Sequence, residues 1–224
     1  MRRFQVANVG VIGESIGLPA DAAHHFVRVL RGRVGQTIEL FDGAGNIAEA
    51  TVQDIDDAAV TVIVDALRSI RATRSVTLVL AVIKGPAMDA AVRMATEAGV
   101  ACVLPVISAR SIAKGDRSDR WTRIATSAAQ QSGRGDTPTI HPPTTLKEAL
   151  QAVDGASLYI AMPGSAGLAT GSKDAAVFVG PEGGWTLAEV NQVLAAGAHT
   201  ISLGPWVLRA DTAAAVAVAQ ALQR

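Results

Sequence analysis

The sequence is short of the residues that announce most chemistries. A single cysteine, Cys102, in 224 residues excludes an internal disulfide and any cysteine-built metal cluster. The four histidines are scattered and make no metal-ligand constellation, so no metal is expected. Aromatic residues are only 4%, which leaves Ala, Val, Leu and Ile to build the core. The formal net charge is zero, which argues against indiscriminate binding of polyanions. No stretch approaches the roughly 20 apolar residues that cross a bilayer, so no membrane partner is expected. The opening MRRFQVANVGVIGE lacks the sustained apolar segment of a secretory signal, and a reducing, cytoplasmic location is the expectation. Neither GxGxxG nor the Gly-Lys-Ser/Thr ending of a nucleotide-binding P-loop occurs, which speaks against a bound pyrophosphate.

What is present is apolar and unevenly charged. A length of 224 residues admits one large domain or a small and a medium one, and a hydrophobic content of 49% is ample for a packed core. Residues 1–34 carry Arg2, Arg3, Arg28, Arg31 and Arg33 against Glu14 and Asp21. Residues 110–134 carry Arg110, Lys114, Arg117, Arg120, Arg123 and Arg134 against Asp116 and Asp119. A neutral chain with two arginine-rich segments still has the means to present a basic face to phosphates.

Residues 1 to about 70 read as a small β-rich unit. Pro19 opens a short helix from Ala20 to Leu30, and the Asp42-Gly43 pair between alternating segments signals a hairpin. Short strands with tight turns suggest a small barrel. The polar, basic stretch 66–75 is taken as a boundary. From Val76 the pattern changes to strands alternating with helices, which predicts an α/β domain with a parallel sheet. Val76–Ile83 is the continuous apolar run of a strand buried on both faces, and Ala87–Ala98 is an amphipathic helix stopping at Gly99. Thr145 and Glu148 have the spacing of a capping box for a helix over Leu146–Val153. Cys102, inside an apolar run, reads as a small core residue.

The richest stretch is Val177–Ala215. It holds two units in which a short apolar run enters a glycine- and proline-rich turn that opens a helix. The first turn is Gly180-Pro181-Glu182-Gly183-Gly184; the second is Leu203-Gly204-Pro205-Trp206-Val207-Leu208, followed by Arg209 and a helix from about Asp211. Strand ends with such turns are where parallel α/β sheets build small-molecule sites, because glycine lets backbone N–H groups approach a ligand. Arg209 and Asp211, at the entrance of an almost wholly apolar helix, need partners or solvent. For Asp211, a helix N-cap is a sufficient structural account beside a functional one.

These two turns resemble the signatures of the RsmE family, SPOUT-class methyltransferases that modify N3 of a uridine in 16S ribosomal RNA. The resemblance extends along the chain: His24-His25-Phe26-Val27-Arg28-Val29-Leu30-Arg31, the hairpin Phe41-Asp42-Gly43, Lys84-Gly85, Ala95-Thr96-Glu97, and Ala128-Ala129-Gln130-Gln131-Ser132-Gly133-Arg134. Trp206 stands where the family motif has arginine, and Asp211 where it has glutamate. The resemblance implies a PUA-like RNA-binding barrel over 1–70 and a knotted, SPOUT-type methyltransferase domain over 71–224 that binds S-adenosylmethionine and pairs as a homodimer. Three loops would hold the cofactor: Met162-Pro163-Gly164; Val179 to Gly184, with Gly180, Pro181 and Gly183; and Leu203, Gly204, Trp206, Val207 and Leu208, with Thr212 and Ala213 behind them. Arg209 would stabilise the uridine anion, and Glu182 and Asp211 are both candidates to receive its proton. Arg2, Arg3, Arg28, Arg31, Arg33, Gln130, Gln131 and Arg134 would contact the small-subunit RNA. Two other readings stand beside this one: a related methyltransferase acting on another RNA, and a ribosome-assembly factor that binds RNA without catalysis.

Overall fold

The computed structural model describes residues 2–56, 59–69, 74–111, 115–167, 171 and 174–223. Lys114 and the expected boundary at 70/71 lie outside them. Packing divides the chain into two units: residues 1–71 with 129–137, and residues 72–128 with 138–224.

The first unit is built on a five-stranded sheet. Its strands are β1 (Arg3–Gln5), β2 (Ser15–Gly17), β3 (Thr37–Phe41), β4 (Asn46–Asp56) and β5 (Ala59–Ser69), in the order β1-β3-β4-β5-β2. Helix α1 (Ala20–His24) runs into one π-helical turn, His25–Val29. The hairpin between β3 and β4 forms because the Asp42 carboxylate accepts from the backbone N–H of Ala44 at 2.7 Å and from the Asn46 side chain at 2.6 Å. β4 and β5 pair antiparallel with register shifts at Glu49/Ala50 and Val52/Asp54, bulges that bend a strand. β5 continues to Ser69, through part of the stretch read from sequence as a boundary. Phe4, Phe26, Ile38, Leu40 and Val62 fill the core, the two rings meeting edge to face at 5.8 Å. The segment 129–137 completes this unit by bonding to the hairpin tip: Gly45 N–H donates to the Gly135 carbonyl and Thr137 N–H to that of Gly43, both at 3.0 Å.

The second unit has six parallel strands. Along the chain come β6 (Val76–Ala81), α2 (Pro86–Ala98), β7 (Cys102–Val106), α3 (Ser118–Ser132), β8 (Thr139–Ile140), α4 (Leu146–Ala152), β9 (Ser157–Ala161), β10 (Ala175–Val179), α5 (Leu187–Ala195), β11 (His199–Ile201) and α6 (Ala210–Leu222). The last residues of α3 count with the first unit. The strand order is β11-β9-β10-β6-β7-β8, so β10 lies inside the sheet and all five of its residues are buried. Alternation sends Val177 and Val179 to the face covered by α2 and α6, and Ala176 and Phe178 to the face covered by α4 and α5. The Cys102 thiol is pushed up to about 11 by burial, against a lowering hydrogen bond with Thr77, and stays protonated at neutral pH.

Two local features place the site. Helix α6 buries Ala210, Ala213, Ala214, Ala217 and Ala221, side chains small enough for close approach to α2, β6 and β10. The loop after β9 runs along the end of β11: Ser202 N–H donates to the Gly167 carbonyl at 2.8 Å, and a Cβ on Gly167 would stand 2.3 Å from the Thr200 carbonyl oxygen. Only glycine fits there.

Candidate active site

The loops leaving β9, β10 and β11 converge at the carboxyl ends of the sheet around a cavity of about 570 Å³. That size and place suit a small-molecule site. All residues expected around a cofactor line it except two. Gly164 instead edges a neighbouring groove with Ser165, Ser202, Pro205 and Gln220. Thr212 is exposed, its backbone N–H donating to Asp211 Oδ1 at 2.8 Å. The cavity also takes walls from Ile83, Ala87, Ala161, Trp185 and Ala210, which sequence reasoning missed. Trp185 carried the one readable signal, a large aromatic directly after a glycine pair.

The central loop is held from both sides. A Cβ on Gly180 would stand 3.1 Å from the Trp185 ring, so the loop backbone passes close against it. On the outer side, Arg110 Nη1 donates to the Gly183 carbonyl at 2.6 Å. Glu189 closes a capping box on α5: Oε2 accepts from Thr186 N–H and Oγ1, each at 2.8 Å. Its other oxygen, Oε1, accepts from Ala109 N–H at 2.8 Å, which ties the loop after β7 to the same helix end. Burial pushes the Glu189 pKa up, but the Ala109 and Thr186 hydrogen bonds and the charge of Arg110 outweigh it, and the net direction is down.

Three charged residues reach the cavity: Glu182, Arg209 and Asp211. Arg209, not Asp211, holds the N-cap position of α6, and no side chain caps that helix. This corrects the N-cap reading of Asp211. Asp211 sits in the first turn of the helix instead. Arg209 Nε lies 3.7 Å from Asp211 Oδ1, and its side chain is 81% exposed. Glu182 is exposed and makes no ion pair among the described residues. The arrangement puts a solvent-facing cation and two carboxylates at a largely apolar cavity into which the glycine- and proline-bearing loops also bring backbone.

The arginines of the first unit sort into two groups. Arg28, Arg31 and Arg33 are exposed, as are His24 and His25. Arg31 adopts φ +50°, the left-handed region, as the helical segment ends and Gly32 N–H returns to the Phe26 carbonyl at 2.9 Å. Arg3 and Arg134, both expected to contact RNA, are engaged within the unit. Arg3 is paired with buried Glu39, stacks on Phe41 at 5.2 Å, and donates to the carbonyls of Gln130 at 3.2 Å and Arg134 at 2.9 Å. The Arg134 guanidinium, 12% exposed, is engaged by both carboxylate oxygens of Asp136 at 2.9 and 2.6 Å. Arg2 is half-buried, lies over the Phe26 ring at 5.8 Å and donates to Gln36 at 3.3 Å. Gln130 is half-buried and Gln131 exposed. Among the described residues, no group of three or more His, Cys, Asp or Glu is placed to hold a metal, and no helix is long and apolar enough to cross a membrane.

Comparison with known proteins follows the two units. Residues 71–222 match the family model of an RNA methyltransferase domain, and residues 18–65 that of an RNA methyltransferase PUA domain. The chain is 31% identical to Ribosomal RNA small subunit methyltransferase E of Synechocystis sp., over 97% of this chain and 76% of that one. The same-named protein of Rickettsia conorii is 31% identical over 92% of this chain and 88% of its own length. A crystal structure of Ribosomal RNA small subunit methyltransferase E from Neisseria gonorrhoeae, bound to S-adenosyl methionine, superposes with a TM-score of 0.86 at 30% identity, covering 98% of this chain and 95% of that one.

Proposed function

The chain belongs to the ribosomal RNA small subunit methyltransferase E family, and from that membership we propose that it methylates N3 of a uridine in small-subunit 16S ribosomal RNA, using S-adenosylmethionine. The observation that carries this reading is the cavity at the carboxyl ends of β9, β10 and β11, with Arg209, Glu182 and Asp211 on its rim. The residues fit the cofactor. Ile83, Val179, Leu208 and Ala213 offer apolar wall, while backbone at Met162, Gly180, Gly184 and Leu203 offers polar groups to a purine. The carboxylates suit a ligand that carries positive charge. When bound, S-adenosylmethionine supplies an electrophilic methyl group on a sulfonium.

The chain's own residues do the rest. Uracil N3–H is a weak acid and neutral N3 a poor nucleophile, so the proton must be removed or shared as the base is held in line. Arg209 projects a cation at the rim, where it offsets the charge that develops on the uracil ring. Asp211, accepting from Thr212 N–H and lying beside Arg209 Nε, orients that guanidinium. Glu182, exposed and without an ion pair among the described residues, receives the N3 proton. The Watson–Crick edge must be free for this, so the target uridine is taken unstacked. Arg28, Arg31 and Arg33 contact phosphates from the first unit. The protein acts in the cytoplasm as a C2 homodimer, and its fold carries the SPOUT knot. The glycine-only passage at Gly167 and the alanine lining of α6 are compatible with so tight a crossing.

Transfer of labelled methyl from S-adenosylmethionine to unmethylated small ribosomal subunits and to free rRNA, read as 3-methyluridine by mass spectrometry, tests the assignment. Label appearing on another base, or on no RNA, would remove it. Sedimentation of the purified protein tests the dimer.

A further inference from the structure

The rim of the cavity exposes an aromatic ring. Trp206 is 80% exposed and Val207 82%, side by side on the loop between β11 and α6. Every other large hydrophobic residue exposed among the described residues is aliphatic, and the other two tryptophans, Trp121 and Trp185, are 3% and 8% exposed. A side chain four-fifths in solvent contributes little wall to the cavity behind it, so its role as a cofactor contact is minor.

The neighbours of Trp206 identify what would cover it. The loop runs directly into Arg209, whose guanidinium is 81% exposed. A second protein surface burying the indole would also dehydrate that cation, whose carboxylate neighbour Asp211 stands 3.7 Å from Nε, at a cost unless a closer carboxylate met it. An RNA satisfies both groups: an unpaired base has a π-face for the indole, while the guanidinium faces the charge that develops on the target uracil. We propose that Trp206 is a stacking platform for an unpaired base of the substrate RNA at the edge of the cavity. This rests on the methyltransferase reading above, and makes Trp206 a substrate-binding residue.

The test uses the full-length protein, unmethylated small subunits, and the variants Trp206→Ala, Trp206→Leu and Trp206→Phe. Stacking is worth ~1–3 kcal/mol per base, so Trp206→Ala should raise KM for RNA by about 5-fold to 150-fold. Trp206→Phe should recover most of that loss and Trp206→Leu little of it. Because Trp121 and Trp185 are buried, emission quenched on RNA binding should come from Trp206 and vanish in Trp206→Phe. Leu rescuing as well as Phe, a variant that turns a dimer into monomers, or an effect confined to the cofactor's KM would each overturn the proposal. Wild-type protein that transfers no methyl to any RNA would instead overturn the function on which it rests.

Discussion

Arg110 crosses from the loop after β7 to donate a hydrogen bond from Nη1 to the Gly183 carbonyl, 2.6 Å away. The glycines of the central loop give it no side chains with which to hold its own shape, so the restraint comes from outside. Arg110→Ala removes a hydrogen bond worth about 1 kcal/mol net. S-adenosylmethionine should bind roughly fivefold to tenfold more weakly by calorimetry, with thermal stability nearly unchanged. Equal affinity in the variant would show that the loop holds its shape unaided.

Arg209→Ala should lose turnover while keeping the fold. Its side chain is 81% exposed, so little packing is lost. Removing a group that stabilises developing charge costs on the order of 10²–10³ in kcat. Arg209→Lys should recover part of that, since the charge persists without the planar fork. Single-turnover rates with saturating cofactor are the measurement, and wild-type rates in Arg209→Ala would refute the role.

Arg31 is held at φ +50°, a conformation that costs a non-glycine residue about 1 kcal/mol. Arg31→Gly should therefore raise the denaturation midpoint of the protein. The same change should weaken RNA binding and reduce its salt dependence by about one phosphate contact. A variant that gains stability and loses no RNA affinity would mean that the strained arginine serves no ligand.

Strong acid should loosen α4. The side chains of Thr144 and Thr145, and then the Thr145 backbone, hold Glu148 down to about 2 from an ordinary 4.5. A depressed carboxyl binds fewer protons folded than unfolded, so its contribution is complete above pH 4.5 and is lost as pH falls toward 2. Glu148→Gln should lower the melting temperature at pH 7 and make no difference near pH 2. A constant gap between variant and wild type across that range would contradict the assignment.

Much of this was readable in the chain, and the failures have causes. Thr145 and Glu148 declared their capping box by spacing alone; Thr186 and Glu189 have the same spacing and were overlooked beside the glycines that precede them. β5 runs to Ser69 because its backbone pairs with Asn46–Glu49, while Ala66, Leu67, Arg68 and Ser69 are all exposed and show no alternation. Charge patterning placed Arg3 and Arg134 on a nucleic-acid face, yet their partners are Glu39 and Asp136. Glu39 meets Arg3 only in three dimensions and leaves no mark on composition, whereas Asp136 stands two residues from Arg134 and was there to be read. Ile83, just past β6, and Ala87, in the first turn of α2, line the cavity, but an apolar residue at either place reads the same whether it faces a ligand or the core.

The first unit is not continuous in sequence: residues 129–137 close it, and Arg3 finds its carbonyl acceptors there. During synthesis, the amino-terminal strands leave the ribosome long before that closing segment exists. They must wait, with Arg3 lacking its two carbonyl acceptors and the hairpin tip its partners at Gly135 and Thr137, until residue 137 has emerged. Completion of the early unit is thereby timed by translation of the later one, and no single cut in the gene releases either as an independent module.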